Sequence, residues 1–336
     1  MKIRDIGEFE LIKKISHNSI TNSRNILVSI GDDAAVFSID PGKVITLTTD
    51  LLIEDVHFIR TKITPVDLGY KAIAVNLSDI AAMGAKPEHV FVSLGIPDDL
   101  DVEYIDNLYT GMKEMAGKYD VNILGGDTSI SKMSLFINIA MTGIADPDRL
   151  LYRNIARPDD IVFSTGYLGS SRAGLQLLMN YDKSEEDEFS ELINAHKRPY
   201  PFVEEGLFLS ECTGVHAAID VSDGLSSDLG HIAEQSDTGF CLEEKKMPVS
   251  DALKNFCMKY SYEPVEYALA GGEDYVLVFT ADPECAADIA ESYRNKFSRK
   301  LYRIGKITSS KERLLLRENG SLVKVSNKGW NHFKSV

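Results

Sequence analysis

Two periodicities run along this chain, and together they set the expected elements. Short apolar runs bounded by turn residues read as strands, whereas apolar positions three and four apart read as one face of a helix. Val44 to Thr49 is such a run, with Thr48, Thr49 and Asp50 at its end, and Val56 to Arg60 is another. Further strands are expected over Ile26–Ile30, Ala34–Ile39, 89–96, 121–124 and Leu135–Ile144. Helical spacing marks Gly7–Ile15, and also 101–119, where Ile105, Leu108, Met112 and Met115 share a stripe. Thr64-Pro65 opens another helix, a hydroxyl cap followed by proline at the first position, which runs to about Gly84.

The pattern restarts after Asp146-Pro147-Asp148. A strand over Asp160–Ser164 leads through the glycine-bearing turn Gly166–Gly169 to a helix over Ser170–Asn180. The acidic tract Asp182–Glu188 reads as a solvated loop. Then follow helix 201–211, strand 215–219, helix Leu225–Gln235, strand Tyr275–Thr280, helix Pro283–Phe297 and a strand-like tail to Val325. Two successive mixed sets predict an α+β (mixed α/β) chain of two domains, 1–147 and 148–336.

Composition narrows the function classes. A net charge of −15 over 336 residues argues against a nucleic-acid or anionic-membrane surface, since both need basic patches. It leaves a nucleotide open, because bound metal ions invert the local field. The four cysteines, Cys212, Cys241, Cys257 and Cys285, form no C-x-x-C pair and read as core thiols of a reducing cytosol. The start, Met1-Lys2-Ile3-Arg4-Asp5, does not read as a signal peptide. The longest apolar stretch, Phe136 to Ala145, is too short to span a bilayer. A cytoplasmic location is expected.

Candidate chemistry lies in five acidic clusters: Gly31-Asp32-Asp33, Thr48-Thr49-Asp50, Ser78-Asp79, Gly125-Gly126-Asp127 and Asp220-Val221-Ser222-Asp223-Gly224. Carboxylates and hydroxyls are hard oxygen ligands for Mg²⁺, which takes few protein ligands and keeps several waters. Spread over distant turns, they suggest more than one ion on the phosphates of a nucleotide. Each cluster has a plainer reading. Asp beside Gly is a common turn residue, and Ser222 or Asp223 could simply cap the helix from Leu225. Asp79 falls in an apolar helix, where a charge costs on the order of several kcal/mol unless paired or metal-bound. Gly125-Gly126-Asp127-Thr128 also fits a phosphate-approaching loop, although neither G-x-x-x-x-G-K-[ST] nor a Rossmann G-x-G-x-x-G is present. Arg153 could clamp a phosphate or lie on the surface. His57 could contact substrate or be a satisfied core histidine. Trp330, the only tryptophan, could be a structural plug or stack on a flat ligand.

The ordered set Gly31-Asp32-Asp33-Ala34-Ala35, Thr48-Thr49-Asp50, Val56-His57-Phe58, Asn76-Leu77-Ser78-Asp79, Gly125-Gly126-Asp127-Thr128, Asp220-Val221-Ser222-Asp223-Gly224, Gly271-Gly272-Glu273-Asp274-Tyr275 and Gly329-Trp330-Asn331-His332-Phe333 resembles the thiamine-monophosphate kinases. The resemblance runs along nearly the whole chain. It implies a two-domain PurM-like fold, with N-terminal mixed sheets pairing into a dimeric barrel and a C-terminal α+β domain completing the active site. It implies direct transfer of the ATP γ-phosphate to thiamine monophosphate, without a phosphoenzyme or an acid–base side chain. By motif, Asp33, Thr48, Thr49, Asp50, Asp79, Asp127, Asp220 and Asp223 look like Mg²⁺ ligands for several ions, and a K⁺ ion is left open. Tyr109, Gly126, Asp127, Arg153 and Ser222 look like the ATP side, and His57, Glu273, Asp274 and Trp330 like the thiamine monophosphate side. Asp55 stands where the family usually has Gly, Phe202 where Arg is usual, and Arg172 where a small residue is common. A selenophosphate synthetase would need a reactive Cys or selenocysteine with a Lys near the N-terminus, and no Cys precedes Cys212; an aminoimidazole ribonucleotide synthetase would lack the Gly-Trp-Asn-His-Phe segment. A non-catalytic nucleotide-binding module would bind ATP without turnover.

Overall fold

The computed structural model describes residues 11, 14–28, 36–326 and 329. Asp33, Trp330 and most of the expected Gly7–Ile15 helix lie outside the described residues. The chain divides into two compact units, residues 1–80 with 85–148, and residues 81–84 with 149–336.

The first unit contains a short antiparallel pair, β1 (Ile26–Val28) and β2 (Val36–Phe37). Its main sheet has four strands, β3 (Val44–Ile53), β4 (Lys86–Pro97), β5 (Asn122–Ser131) and β6 (Phe136–Ala145), in the order β3-β6-β4-β5. Only β4 and β5 run parallel, joined through a helix as a parallel pair requires. The helices are α1 (Pro65–Ala82) and α2 (Val102–Gly117). One face of the sheet is buried: Val90, Val92, Leu94 and Ile96 of β4, with Ile137, Ile139 and Met141 of β6. The other is open along β3, where Ile45, Leu47 and Leu51 are exposed, Leu47 to 71%. Strand alternation thus sends successive β3 side chains to opposite environments.

Three expectations in this unit are corrected. Thr48-Thr49-Asp50 do not end a strand; β3 continues to Ile53 because β6 supplies ladder partners as far as Phe136. Val56–Arg60 is not a strand but a turn. The Val56 and His57 N–H groups both donate to the Ile53 carbonyl (3.1 and 2.9 Å), and Asp55 has φ 65°. That left-handed backbone is the conformation glycine adopts most easily and Asp tolerates, which accounts for Asp55 where the resemblance leads one to look for Gly. Gly125-Gly126-Asp127 is not a turn either, since it lies within β5. Gly126 is needed for close approach: a Cβ there would lie 1.8 Å from the Val92 carbonyl oxygen.

The second unit has a seven-stranded sheet of β7 (Ile161–Ser164), β8 (Val215–Asp220), β9 (Gly239–Glu243), β10 (Leu277–Ala281), β11 (Tyr302–Thr308), β12 (Arg313–Leu316) and β13 (Leu322–Lys324). Their order is β13-β12-β9-β11-β7-β10-β8, parallel only between β12 and β9. Eight helices accompany it among the described residues: α3 (Ser170–Asn180), α4 (Lys183–Glu188), α5 (Ser190–Lys197), α6 (Val203–Glu211), α7 (Leu225–Gln235), α8 (Asp251–Tyr260), α9 (Pro264–Ala270) and α10 (Ala286–Phe297). The expected loop at Asp182–Glu188 is helical. Asp182 and Glu185 form a reciprocal capping box, and Lys183 pairs with Glu186 and Asp187 one turn on. Local capping there outweighs the polarity that suggested a solvated loop. Helices α3, α5 and α8 share a core separate from the sheet, in which Leu177, Leu192, Leu253 and Phe256 are fully buried. Burial of each such side chain is worth roughly 1.5–3 kcal/mol. The two other family departures have local roles: Arg172 lies 5.1 Å over the Tyr267 ring, and Phe202 opens α6 in a left-handed conformation.

Candidate functional site

In the first unit the structure brings three candidates together. Thr48 and Asp50 point from β3 to the face covered by α1, where the Thr48 hydroxyl donates to the Asp79 carboxylate. Asp50 is pushed up to about 7, first by burial and then by the charge of Asp79. Burial and the neighbouring Asp79 charge both favour a proton on Asp50, and a bound cation would relieve the same repulsion. Among the described residues, no group of three or more His, Cys, Asp or Glu side chains could hold a metal ion alone. Asp50, Asp79 and the Thr48 hydroxyl nevertheless suit Mg²⁺, which needs only one or two carboxylates.

Thr49 and Asp127 are placed differently. Thr49 Oγ1 accepts from Asn138 Nδ2 at 2.9 Å on the open face. Asp127 shares a row with Ser93, Asn138 and Leu51, so it faces the same open side. It lies three strand spacings from β3, roughly 14 Å. Gly126 and Asp127 line a cavity of about 90 Å³ together with Tyr109, Val92 and Ile15. This cavity gathers three of the ATP-side candidates. Tyr109 is buried, and burial raises its phenol well above the usual range, so it acts only as a neutral group. His57 Nδ1 accepts the Ile53 N–H at 3.0 Å, which leaves the ring proton on Nε2 as a donor.

In the second unit, Asp220 ends β8 almost fully buried, and Ser222 and Asp223 follow in the turn before α7. The organising residue of this turn is Asp228, which the motif reading missed. It is buried in the first turn of α7, and one carboxylate oxygen accepts the N–H groups of Asp223 (3.1 Å) and Gly224 (3.0 Å). Burial, then Asp220 and Asp223, push its carboxyl up to about 8. The available signal was an Asp in the first turn after a glycine, positioned to satisfy unpaired amides at a helix start. Arg153 is exposed, and its carbonyl accepts from Ser236 Oγ at 3.1 Å.

The loop 271–275 is fastened to this turn. The Glu273 N–H donates to the Ser222 carbonyl (2.8 Å) and the Tyr275 N–H to the Val221 carbonyl (2.9 Å). Glu273 and Tyr275 both hold left-handed backbones, φ 61° and 53°. Such residues cost on the order of 1–3 kcal/mol each and persist where their surroundings over-determine them. The Asp274 carboxylate accepts the N–H groups of Gly169 and Ser171 at the start of α3. It is therefore committed to holding the loop, whereas the Glu273 side chain is 27% exposed. Gly329, the residue before Trp330, also packs on the acidic turn: a Cβ there would lie 2.5 Å from Ser227 Cβ and 2.9 Å from the Asp223 carbonyl oxygen.

Asp228 generates a prediction. Its carboxyl ordinarily titrates near 3.8 and is raised to about 8 in the fold, so the folded protein keeps a proton that the unfolded chain releases. That contribution is complete below about pH 4 and is lost as pH rises through about 8. In chelator-treated buffer, Asp228→Asn should flatten the fall in unfolding midpoint across that window and be the more stable form at its upper end. Parallel slopes for the two proteins would contradict this.

Comparison with known proteins identifies the relatives. The N-terminal domain model of the AIR synthase related protein family matches residues 31–145, and its C-terminal domain model matches residues 157–316. The thiamine-monophosphate kinase of Aquifex aeolicus (strain VF5) is 36% identical over 340 residues, spanning 99% of this chain and 100% of the relative. Among solved structures, the thiamine-monophosphate kinase of Stenotrophomonas maltophilia K279a matches with a TM-score of 0.82 at 31% identity, covering 92% of this chain and 96% of that one. AaThiL complexed with AMPPCP and TMP matches with a TM-score of 0.77 at 33% identity, covering 99% of each chain. With carboxylate pairs at the motif positions and kinship along its full length, this chain belongs to the thiamine-monophosphate kinases of the AIR synthase related family.

Proposed function

We propose that this protein transfers the γ-phosphoryl group of ATP to thiamine monophosphate, giving thiamine diphosphate and ADP. The observation that carries this reading is full-length kinship with enzymes of that name, one of them complexed with AMPPCP and TMP. In the reaction, a phosphate oxygen of thiamine monophosphate bonds to the γ-phosphorus while the bond from that phosphorus to the β-bridging oxygen breaks. The acceptor is already anionic at neutral pH, so no general base is required, in keeping with a site built from carboxylates rather than a nucleophile and its base.

Bound Mg²⁺ would neutralise the phosphate oxygens and align them for in-line transfer. In the first unit, Asp50, Asp79 and Thr48 are its best-supported ligands, because their crowding already calls for a cation. Asp33, Thr49 and Asp127 are assigned as further ligands from the motif, and in the second unit Asp220 and Asp223, whose turn is set by Asp228. The cavity beside Tyr109, Gly126 and Asp127 is assigned to ATP, with Arg153 and Ser222 as second-unit ATP contacts. The His57 Nε2–H is suited to donate to the acceptor phosphate. Glu273 and Trp330 are assigned to the thiamine moiety, with Asp274 holding their loop. An assisting K⁺ remains compatible with this scheme.

The open sheet face, with Ile45, Leu47 and Leu51 exposed along β3, supports a homodimer built by pairing these faces. A cytoplasmic setting belongs to the same proposal; no helix among the described residues is long and apolar enough to cross a membrane.

Two measurements test these assignments. Incubation with ATP, Mg²⁺ and thiamine monophosphate should yield thiamine diphosphate by chromatography, and Asp50→Asn should lower kcat by about 100-fold or more without lowering the melting temperature. Absence of product from the unaltered protein would sink the kinase reading, and full activity in the variant would remove Asp50 from the site. In sedimentation, Leu47→Glu should convert dimer to monomer; an unaltered sedimentation coefficient would place any interface elsewhere.

A further inference from the structure

Glu273 has a fixed backbone, held to Ser222, but its side chain needs a separate restraint to point in one direction. That restraint is His196. Its Nδ1 lies 3.2 Å from Glu273 Oε2 and 3.0 Å from Ser171 Oγ. The His196 side chain is 7% exposed, and Ser171 is fully buried. The same Ser171 gives its backbone N–H to Asp274 at 3.0 Å, so both acidic residues of the loop are governed from one point on α3.

The contact geometry excludes a serine–histidine–carboxylate relay. Both partners meet the same ring nitrogen, whereas a relay uses the two nitrogens for different partners. His196 Nδ1 hydrogen-bonds the Ser171 hydroxyl and lies in ion-pair contact with the Glu273 carboxylate; a bare Nδ1 would set a lone pair against that carboxylate, which favours the proton on Nδ1. His196 occupies the last turn of α5. The reach is set by helix packing. Gly174 on α3 lets α5 approach so closely that a Cβ would sit 2.1 Å from the Leu192 carbonyl oxygen and 3.1 Å from His196 Cβ.

We propose that His196 is a positioning residue that aims the Glu273 carboxylate at the cationic, amine-bearing part of thiamine monophosphate and thereby sets selectivity for that substrate. This rests on the assignment of Glu273 to the thiamine side. The expected effect is about tenfold in the binding of thiamine monophosphate, which corresponds to about 1.4 kcal/mol.

The test separates KM from kcat for each substrate. His196→Ala should raise the KM for thiamine monophosphate about tenfold and leave the KM for ATP and kcat within about twofold. His196→Asn, whose amide N–H falls near the Nδ1 position, should restore the KM; His196→Gln, whose amide reaches toward Nε2, should not. Adding Glu273→Ala to His196→Ala should raise the KM no further than Glu273→Ala alone. If the alanine variant fails to fold, the Asn and Gln pair decides: equal KM values overturn the proposal. An unmoved KM for thiamine monophosphate, or equal rises for both substrates, also overturns it. A readout independent of turnover keeps this inference apart from the kinase reading. In nitrogen-15 spectra of the unliganded protein, Glu273→Gln should shift the His196 Nδ1 resonance, and an unchanged resonance overturns the proposal even if the protein proves to be no kinase.

Discussion

Like charges forced together out of water are the constraint on which this structure turns. Asp50 on β3 and Asp79 on α1 meet on the covered face of a sheet, and burial with mutual repulsion lifts Asp50 to about 7. The same condition recurs in the second unit, where Asp228 is lifted to about 8 beside Asp220 and Asp223. A fold gains nothing in stability from such crowding. In the metal assignment proposed above, a doubly charged cation would take the place of the proton on the raised carboxyl, and binding would then be coupled to proton release near neutral pH. The two units thus carry one chemical device on unrelated local scaffolds: a strand facing a helix in one, a turn closed by a helix N-terminus in the other.

Around these carboxylates the remaining groups are held by backbone contacts more than by side-chain pairs. The turn before α7 is closed by Asp228 on two amides, and the loop 271–275 is tied to that turn by two further N–H donors and to α3 through Asp274. Strained residues such as Glu273 survive because each neighbour is anchored. His196 adds a side-chain contact to Glu273 in this loop, and Gly174 makes room for it. The helical core around Phe256 then has a functional consequence, since it fixes α5 and α3 relative to each other.

Much of this was legible in the residues. The helix opened by Thr64-Pro65, the amphipathic α2 and the helix after Asp223 all follow from local caps and periodicity, which act within a few residues. Two of the misreadings have a common cause. Where β3 ends, and whether Gly125-Gly126-Asp127 bends or extends, is decided by strands more than thirty residues away in sequence. Periodicity cannot see those partners. For the same reason the motif Thr48-Thr49-Asp50 looked like one cluster of oxygens, while the strand alternation sends Thr49 to the opposite face from its neighbours. Asp228 and His196 were missed because each is an ordinary polar residue in a helix, and its meaning comes only from the amides or carboxylate that folding brings to it.

The central proposal, that a divalent cation displaces a proton held on Asp50 beside Asp79, is tested most directly by titrating Mg²⁺ calorimetrically near pH 7 in buffers of different ionisation enthalpy. Net proton release is predicted for the unaltered protein, at a level clearly reduced in Asp50→Asn. Equal proton release from both, or binding that releases none, would contradict the account.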